Sequence, residues 1–91
     1  MQVEFYSSFD KDISKVKLQS VKDSIAKQIV SVENCESLVD FIQLPNVTKL
    51  VGHIDCYRIK FGDYRIGVRV MNNVVHFARF GTRANIYSIF P

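Results

Sequence analysis

The chain has two cysteines, Cys35 and Cys56, and two histidines, His53 and His76, and it contains no Cys-x-x-Cys pair. Zinc-ligand spacing cannot be assembled from so few groups, and both thiols are expected to be reduced and buried as packing groups. No charge-free apolar run approaches the ~18 to 20 residues of a membrane span. The opening MQVEFYSSFDKD carries acids where a secretory signal needs a basic and then an apolar stretch, so a cytoplasmic location is expected. Internal repeats and low-complexity tracts are missing. With 91 residues, 47% of them hydrophobic, the chain supports one core and a single domain spanning residues 1–91.

A further absence concerns arginine. None occurs before Arg58. Met1 to Thr48 carries five Lys against seven Asp or Glu, a net −2, whereas Lys49 to Pro91 carries two Lys and five Arg against two Asp, a net +5. The planar arginine fork suits phosphate, so a half-chain polarised this way points to an anionic partner, nucleic acid first.

What is present reads as α+β, with an N-terminal strand and a two-helix hairpin packed on a small twisted antiparallel sheet. Residues 2–6 have the β-branched and aromatic content of a strand. Ser7 or Ser8 is expected to cap a first helix, with Asp10 and Asp12 near its positive end and Phe9, Ile13 and Val16 at helical spacing. A second helix over about 21–32 is predicted from the stripe Val21, Ile25, Ile29, Val32. Residues 37–42 allow one more turn, and Pro45-Asn46 marks a loop. Strands follow at about 50–61, 64–71 and 74–80.

Gly62-Asp63 predicts a type II′ hairpin turn, and that turn fixes the register. Phe61 faces Tyr64, Ile59 faces Ile66 and Tyr57 faces Val68 on one apolar side; Lys60 faces Arg65 and Arg58 faces Gly67 on the other, with Arg69 beyond. Like charges placed opposite each other cost up to about 1 kcal/mol. A bound phosphate would offset this, since charge-assisted bonds contribute about 1.5 to 3 kcal/mol each. If Asn72-Asn73 is a two-residue turn, Val70 meets Val75, Arg69 meets His76 and Val68 meets Phe77; Phe80 then falls opposite Arg65 and Arg79 points inward, unless a bulge intervenes. Beyond Gly81, one helical turn would put Arg83 and Tyr87 on a common face.

Leu50-Val51-Gly52 followed by DCYRIKFGDYRIGVRVMNNVVHFARFGTRANIY resembles the RelE/ParE toxin superfamily of toxin–antitoxin modules, on the RelE side. The likeness is most specific between Leu50 and Tyr87, where the family has Leu-x-Gly, a Tyr-[Arg/Lys]-Ile-x strand, a Gly-Asp-Tyr-Arg turn and a Gly-x-Arg ending in Ile/Val-Tyr. It implies an mRNA endonuclease acting in the ribosomal A site, held inactive by a cognate antitoxin. It also implies roles. Lys60 lies near the attacking hydroxyl and Arg58 at a neighbouring RNA contact. Arg65 binds the scissile phosphate, Arg83 lies near the leaving group, and Tyr87 stacks on a base. At Thr82 this sequence departs from many relatives, which have histidine there. Gyrase-inhibiting ParE-like relatives generally lack the lysine, arginine and tyrosine set.

The residues suit that chemistry in their own right. RNA cleavage by its own ribose needs a base for the 2′-hydroxyl, cations around the phosphorane and stabilisation of the departing 5′-oxygen, and it requires no metal or cofactor. The expected catalytic set is Lys60, Arg65, Arg83 and Tyr87, with Lys60, Arg65 and Arg83 converging on one pocket. Arg58, Arg69 and His76 are the expected nucleic-acid contacts. The alternative readings are a ParE-like DNA gyrase inhibitor acting by binding and a plain RNA-binding module on the basic sheet, although single-strand binders usually carry exposed aromatics on the sheet face.

Overall fold

The computed structural model describes residues 1–91. Strand β1 (Gln2–Phe5) leads into helices α1 (Ser7–Ser14), α2 (Gln19–Glu33) and α3 (Leu38–Ile42). Strands β2 (Val47–Lys49), β3 (Cys56–Phe61), β4 (Tyr64–Met71) and β5 (Val74–Thr82) follow, and a short helix, α4 (Ile86–Ile89), comes last. The α+β reading holds. One sheet runs in the order β1-β5-β4-β3-β2; β2 to β5 are antiparallel neighbours, and β1 joins the β5 edge in parallel. No helix is long and apolar enough to cross a membrane.

The hydrophobic stripes explain the layering. Ile25 and Val32 of α2 are buried with Phe9 of α1 and Phe41 of α3 against Tyr57, Ile59, Ile66, Val68 and Phe77 of the sheet. Each such side chain taken from water contributes about 1.5–3 kcal/mol. A smaller cluster, Cys56, Ala78, Ile86 and Phe90, lies on the opposite face. There the C-terminal segment packs onto the sheet.

Both turns form as their residues predict. Gly62 has φ +55° and Asp63 does not share it, matching a glycine-first type II′ turn, while Asn72 (φ 54°) and Asn73 (φ 61°) both adopt the left-handed conformation of a type I′ turn. The first hairpin has the expected register, including Lys60 opposite Arg65 and Arg58 opposite Gly67. In the second, Val70↔Val75, Arg69↔His76 and Val68↔Phe77 also hold.

Beyond that point the register shifts. A bulge between Gly67 and Val68 absorbs Ala78, so Phe80 pairs with Ile66 and enters the core, whereas Gly81 faces Arg65. Arg79 therefore does not point inward. Its guanidinium meets Asp12 of α1 instead (2.8 Å from Nε).

Four smaller expectations fail for local reasons. Tyr6 is the cap residue of α1, and Ser8 lies inside the helix, donating from Oγ to the carbonyl of Ala78 at 2.6 Å. Residues 50–55 form turns, with strand only from Cys56; Val47–Lys49 supplies an extra edge strand where a loop was expected. Strand β5 runs to Thr82. Helix α4 starts at Ile86, after Arg83, so Arg83 and Tyr87 do not share a helical face.

Candidate functional site

The hairpin turn at Gly62-Asp63 organises one end of the sheet. Lys60 is exposed on β3, and Arg65 stands opposite it on β4. Arg65 is only 8% exposed. Its Nη1 donates to the carbonyls of Gly62 (2.9 Å) and Tyr64 (2.8 Å), which ties the guanidinium to the turn. A guanidinium has five N–H groups, and Nε and Nη2 of Arg65 make no bond within the chain. On the other flank Arg65 faces Gly81, which offers no side chain. The amide of Arg83 donates to the Asp63 carbonyl at 2.8 Å, so the exit of β5 is fastened to the same turn.

Lys60, Arg65 and Arg83 thus lie at one end of the sheet, and none has a carboxylate within 4 Å; the basic side chains that do are Arg69 with Asp55, His76 with Glu4 and Arg79 with Asp12. They do not enclose a pocket. None of the five main concavities is lined by any of the three. Lys60 and Arg83 are exposed at this end and Arg65 is nearly buried, and a groove of about 510 Å³ begins alongside at Gly81, Thr82 and Asn85.

Tyr87 reaches this face by a different route. Gly67 lies directly under Phe90: a Cβ built there would sit 2.3 Å from the Phe90 ring, so only glycine lets the C-terminal segment approach the strand. With Phe90 seated, α4 lies across the face and Tyr87 stands over Arg58, whose guanidinium carbon is 5.3 Å from the ring centroid and whose Nη1 meets the Tyr87 hydroxyl. Arg58 Nε is buried without a partner. The glycine was visible in the sequence, opposite Arg58. A glycine inside a strand signals close backbone approach, and that signal would have identified the seat of α4.

Arg69 and His76 are elsewhere. Four residues along β4 separate Arg65 from Arg69, roughly 13 Å of strand. Arg69 lies 3.5 Å from Asp55, donates to Cys56 Sγ (3.2 Å) and covers the Phe90 ring, while His76 faces Glu4 at 3.7 Å and the Tyr6 ring. Thr82 accepts the Asn85 amide on its hydroxyl (3.2 Å).

Two titration environments bear on chemistry. Burial pushes the thiols of Cys35 and Cys56 up, and the hydrogen bond to Asp55 pushes Cys56 further, so neither favours a thiolate. Burial also raises the Asp12 carboxyl, but the Arg79 hydrogen bond, the bond from Phe80 N–H and the Arg79 charge outweigh it and hold Asp12 below its ordinary value. Asp12 accepts both Arg79 and the Phe80 amide (3.0 Å), which pins the strand just past its bulge. No group of three or more His, Cys, Asp or Glu side chains is placed to hold a metal ion.

No protein-family model matches the sequence. Among curated proteins, Toxin RelE3 of Methanocaldococcus jannaschii is 35% identical over 91 residues, covering the whole of both chains. Among solved structures, the chain is similar to the RelB-RelE antitoxin–toxin complex from Methanococcus jannaschii (TM-score 0.76, 31% identity, covering 97% of this chain and 99% of the other). It also superposes on YafQ from E. coli (TM-score 0.71, 17% identity, 94% and 97% covered) and on the isolated E. coli RelE toxin (TM-score 0.63, 23% identity, 97% and 92% covered), likenesses of fold alone. The architecture is that of small α+β toxins. Full-length identity to Toxin RelE3 then narrows the assignment, and the chain belongs to the RelE toxin family.

Proposed function

We propose that this chain is the toxin of a toxin–antitoxin pair and a metal-independent endoribonuclease that cleaves mRNA in the ribosomal A site, in the cytoplasm. The supporting observation is the cluster of cations without carboxylate partners at the Gly62-Asp63 turn, on a chain of the RelE family. Lys60, after giving up its own proton to solvent, takes the proton of the 2′-hydroxyl as the ribose oxygen forms its bond to phosphorus. Arg65, oriented by the turn, stabilises the charge that develops on the phosphorane oxygens. The bond from phosphorus to the 5′-oxygen then breaks, giving a 2′,3′-cyclic phosphate. Arg83 stabilises the departing oxygen, which takes its proton from water, since arginine is a poor acid. Tyr87 holds a base by stacking, and Arg58 contacts the adjoining backbone once the base displaces it from the ring.

A RelB-RelE antitoxin–toxin complex among the similar structures supports a cognate antitoxin as protein partner. The test is expression of wild type and Arg65→Ala in cells with mapping of RNA 5′ ends. Codon-phased cuts present only with wild type are expected; messages left intact by wild type would reject the reading.

A further inference from the structure

The groove of about 510 Å³ beside the cation cluster is unused by the mechanism above. It runs between the α1–α2 linker and the end of β5, where Val16, Leu18, Val21, Phe80 and Ile89 form an apolar floor. Leu18 is 65% exposed there. Lys15 and Lys17 of the linker stand on the rim, both exposed. The other charged residues lining it are Asp12 and Arg79, which neutralise each other through two hydrogen bonds of 2.8 and 3.1 Å, so the rim keeps a net charge of +2. One end opens at Gly81 and Thr82, next to Arg65 and Arg83.

A cationic groove can track the backbone of a single nucleic-acid strand, and this floor, aliphatic apart from the nearly buried Phe80, gives unstacked bases an apolar surface while phosphates meet the rim. We infer that this groove is a second RNA subsite, taking the transcript nucleotides that flank the scissile linkage, with Lys15 and Lys17 as their phosphate contacts. The inference rests on the nuclease reading of the neighbouring site. Continuity with that site favours the transcript over ribosomal RNA, and the open junction at Gly81 leaves the strand a path between the two.

The test uses the full chain and a 5′-labelled nine-nucleotide RNA carrying 2′-fluorine throughout, which cannot be cut by its own ribose. Binding is read by fluorescence anisotropy across a salt series for wild type, Lys15→Ala/Lys17→Ala, Arg65→Ala, and a control of equal charge, Lys22→Ala/Lys49→Ala. Loss of two phosphate contacts should weaken the linker variant about tenfold and make its log–log salt slope shallower by about 1.4, while the control shifts about twofold or less. On titration the methyl resonances of Val16, Leu18 and Val21 should move in the wild type. Equal effects of the linker and control pairs, with those methyls still, overturn the inference. If Arg65→Ala weakens binding in that case, the nuclease site survives and the groove alone is rejected. If Arg65→Ala has no effect while the linker pair does, the groove stands and the site reading falls. A linker variant that binds the nonamer normally but loses ribosomes or an antitoxin assigns the lysines to that partner and overturns the inference equally.

Discussion

The two ends of β4 carry the same residue type and treat it in opposite ways. At the Gly62-Asp63 end, Arg65 has Lys60 beside it and no carboxylate, and its guanidinium is held by backbone carbonyls. At the other end, Arg69 lies against Asp55 and the Phe90 ring, and its neighbour His76 faces Glu4. Backbone carbonyls orient an arginine without cancelling its charge, whereas a carboxylate cancels it. The first arrangement leaves a positive surface for an anion and the second ties the C-terminal segment to the sheet. Position on a basic face therefore does not by itself leave a cation's charge available to an anion; an internal carboxylate removes it, as at Arg69.

Four substitutions break or sharpen that contrast. The largest effect is expected for Arg65→Ala, which should lower cleavage of ribosome-bound mRNA by about 10²–10³-fold, the range for removing one preorganised donor to a developing anion. Cleavage within a few-fold of wild type would remove the turn-end cluster from the chemistry. Next is Gly67→Ala, which drives a methyl into Phe90 and should expel the C-terminal segment, with a loss of about 2–3 kcal/mol by denaturant unfolding as Phe90 returns to water. Cleavage should fall too as Tyr87 leaves Arg58. An unchanged unfolding midpoint would mean that α4 is not seated by that glycine.

Asp12→Asn is smaller, about 1–2 kcal/mol at neutral pH, because a charged hydrogen-bond acceptor for Arg79 and Phe80 N–H becomes neutral. The folded carboxyl titrates below its ordinary value of 3.8, so its stabilisation is complete above about pH 4 and is lost as pH falls through the lowered folded value. Unfolding curves for wild type and variant should converge on acidification. A gap that persists once the folded carboxyl has taken up its proton would show that the charge is not what stabilises. The smallest effect belongs to Arg69→Ala, a few-fold or less on cleavage with only a slight fall in the unfolding midpoint. A drop in cleavage comparable to that of Arg65→Ala would erase the distinction between the two ends.

Much of the fold was legible in the residues. Gly62-Asp63 set the register of the first hairpin and Asn72-Asn73 that of the second as far as Val68 through the backbone conformations they favour, and the stripe containing Ile25 and Val32 placed α2 on the sheet. The bulge was not predictable in position. It depends on Ala78 fitting under Ile86 and Phe90 and on Asp12 catching Phe80 N–H, contacts made between segments far apart in the chain. Of the candidate site, the Lys60–Arg65 juxtaposition followed from the turn alone. The separation of Arg69 and His76 from it did not, because Asp55 and Glu4 look like ordinary exposed acids until the sheet forms.

The sequence by itself determined the two hairpin turns and the alternation that puts cations and apolar groups on opposite faces of the first hairpin, because these depend on local turn geometry and on period-2 patterning. Only the tertiary structure decided which cations stay unpaired, where α4 lies, and that a groove runs beside the turn-end cations. Those outcomes rest on contacts across the sheet and between its two faces, which no local preference encodes.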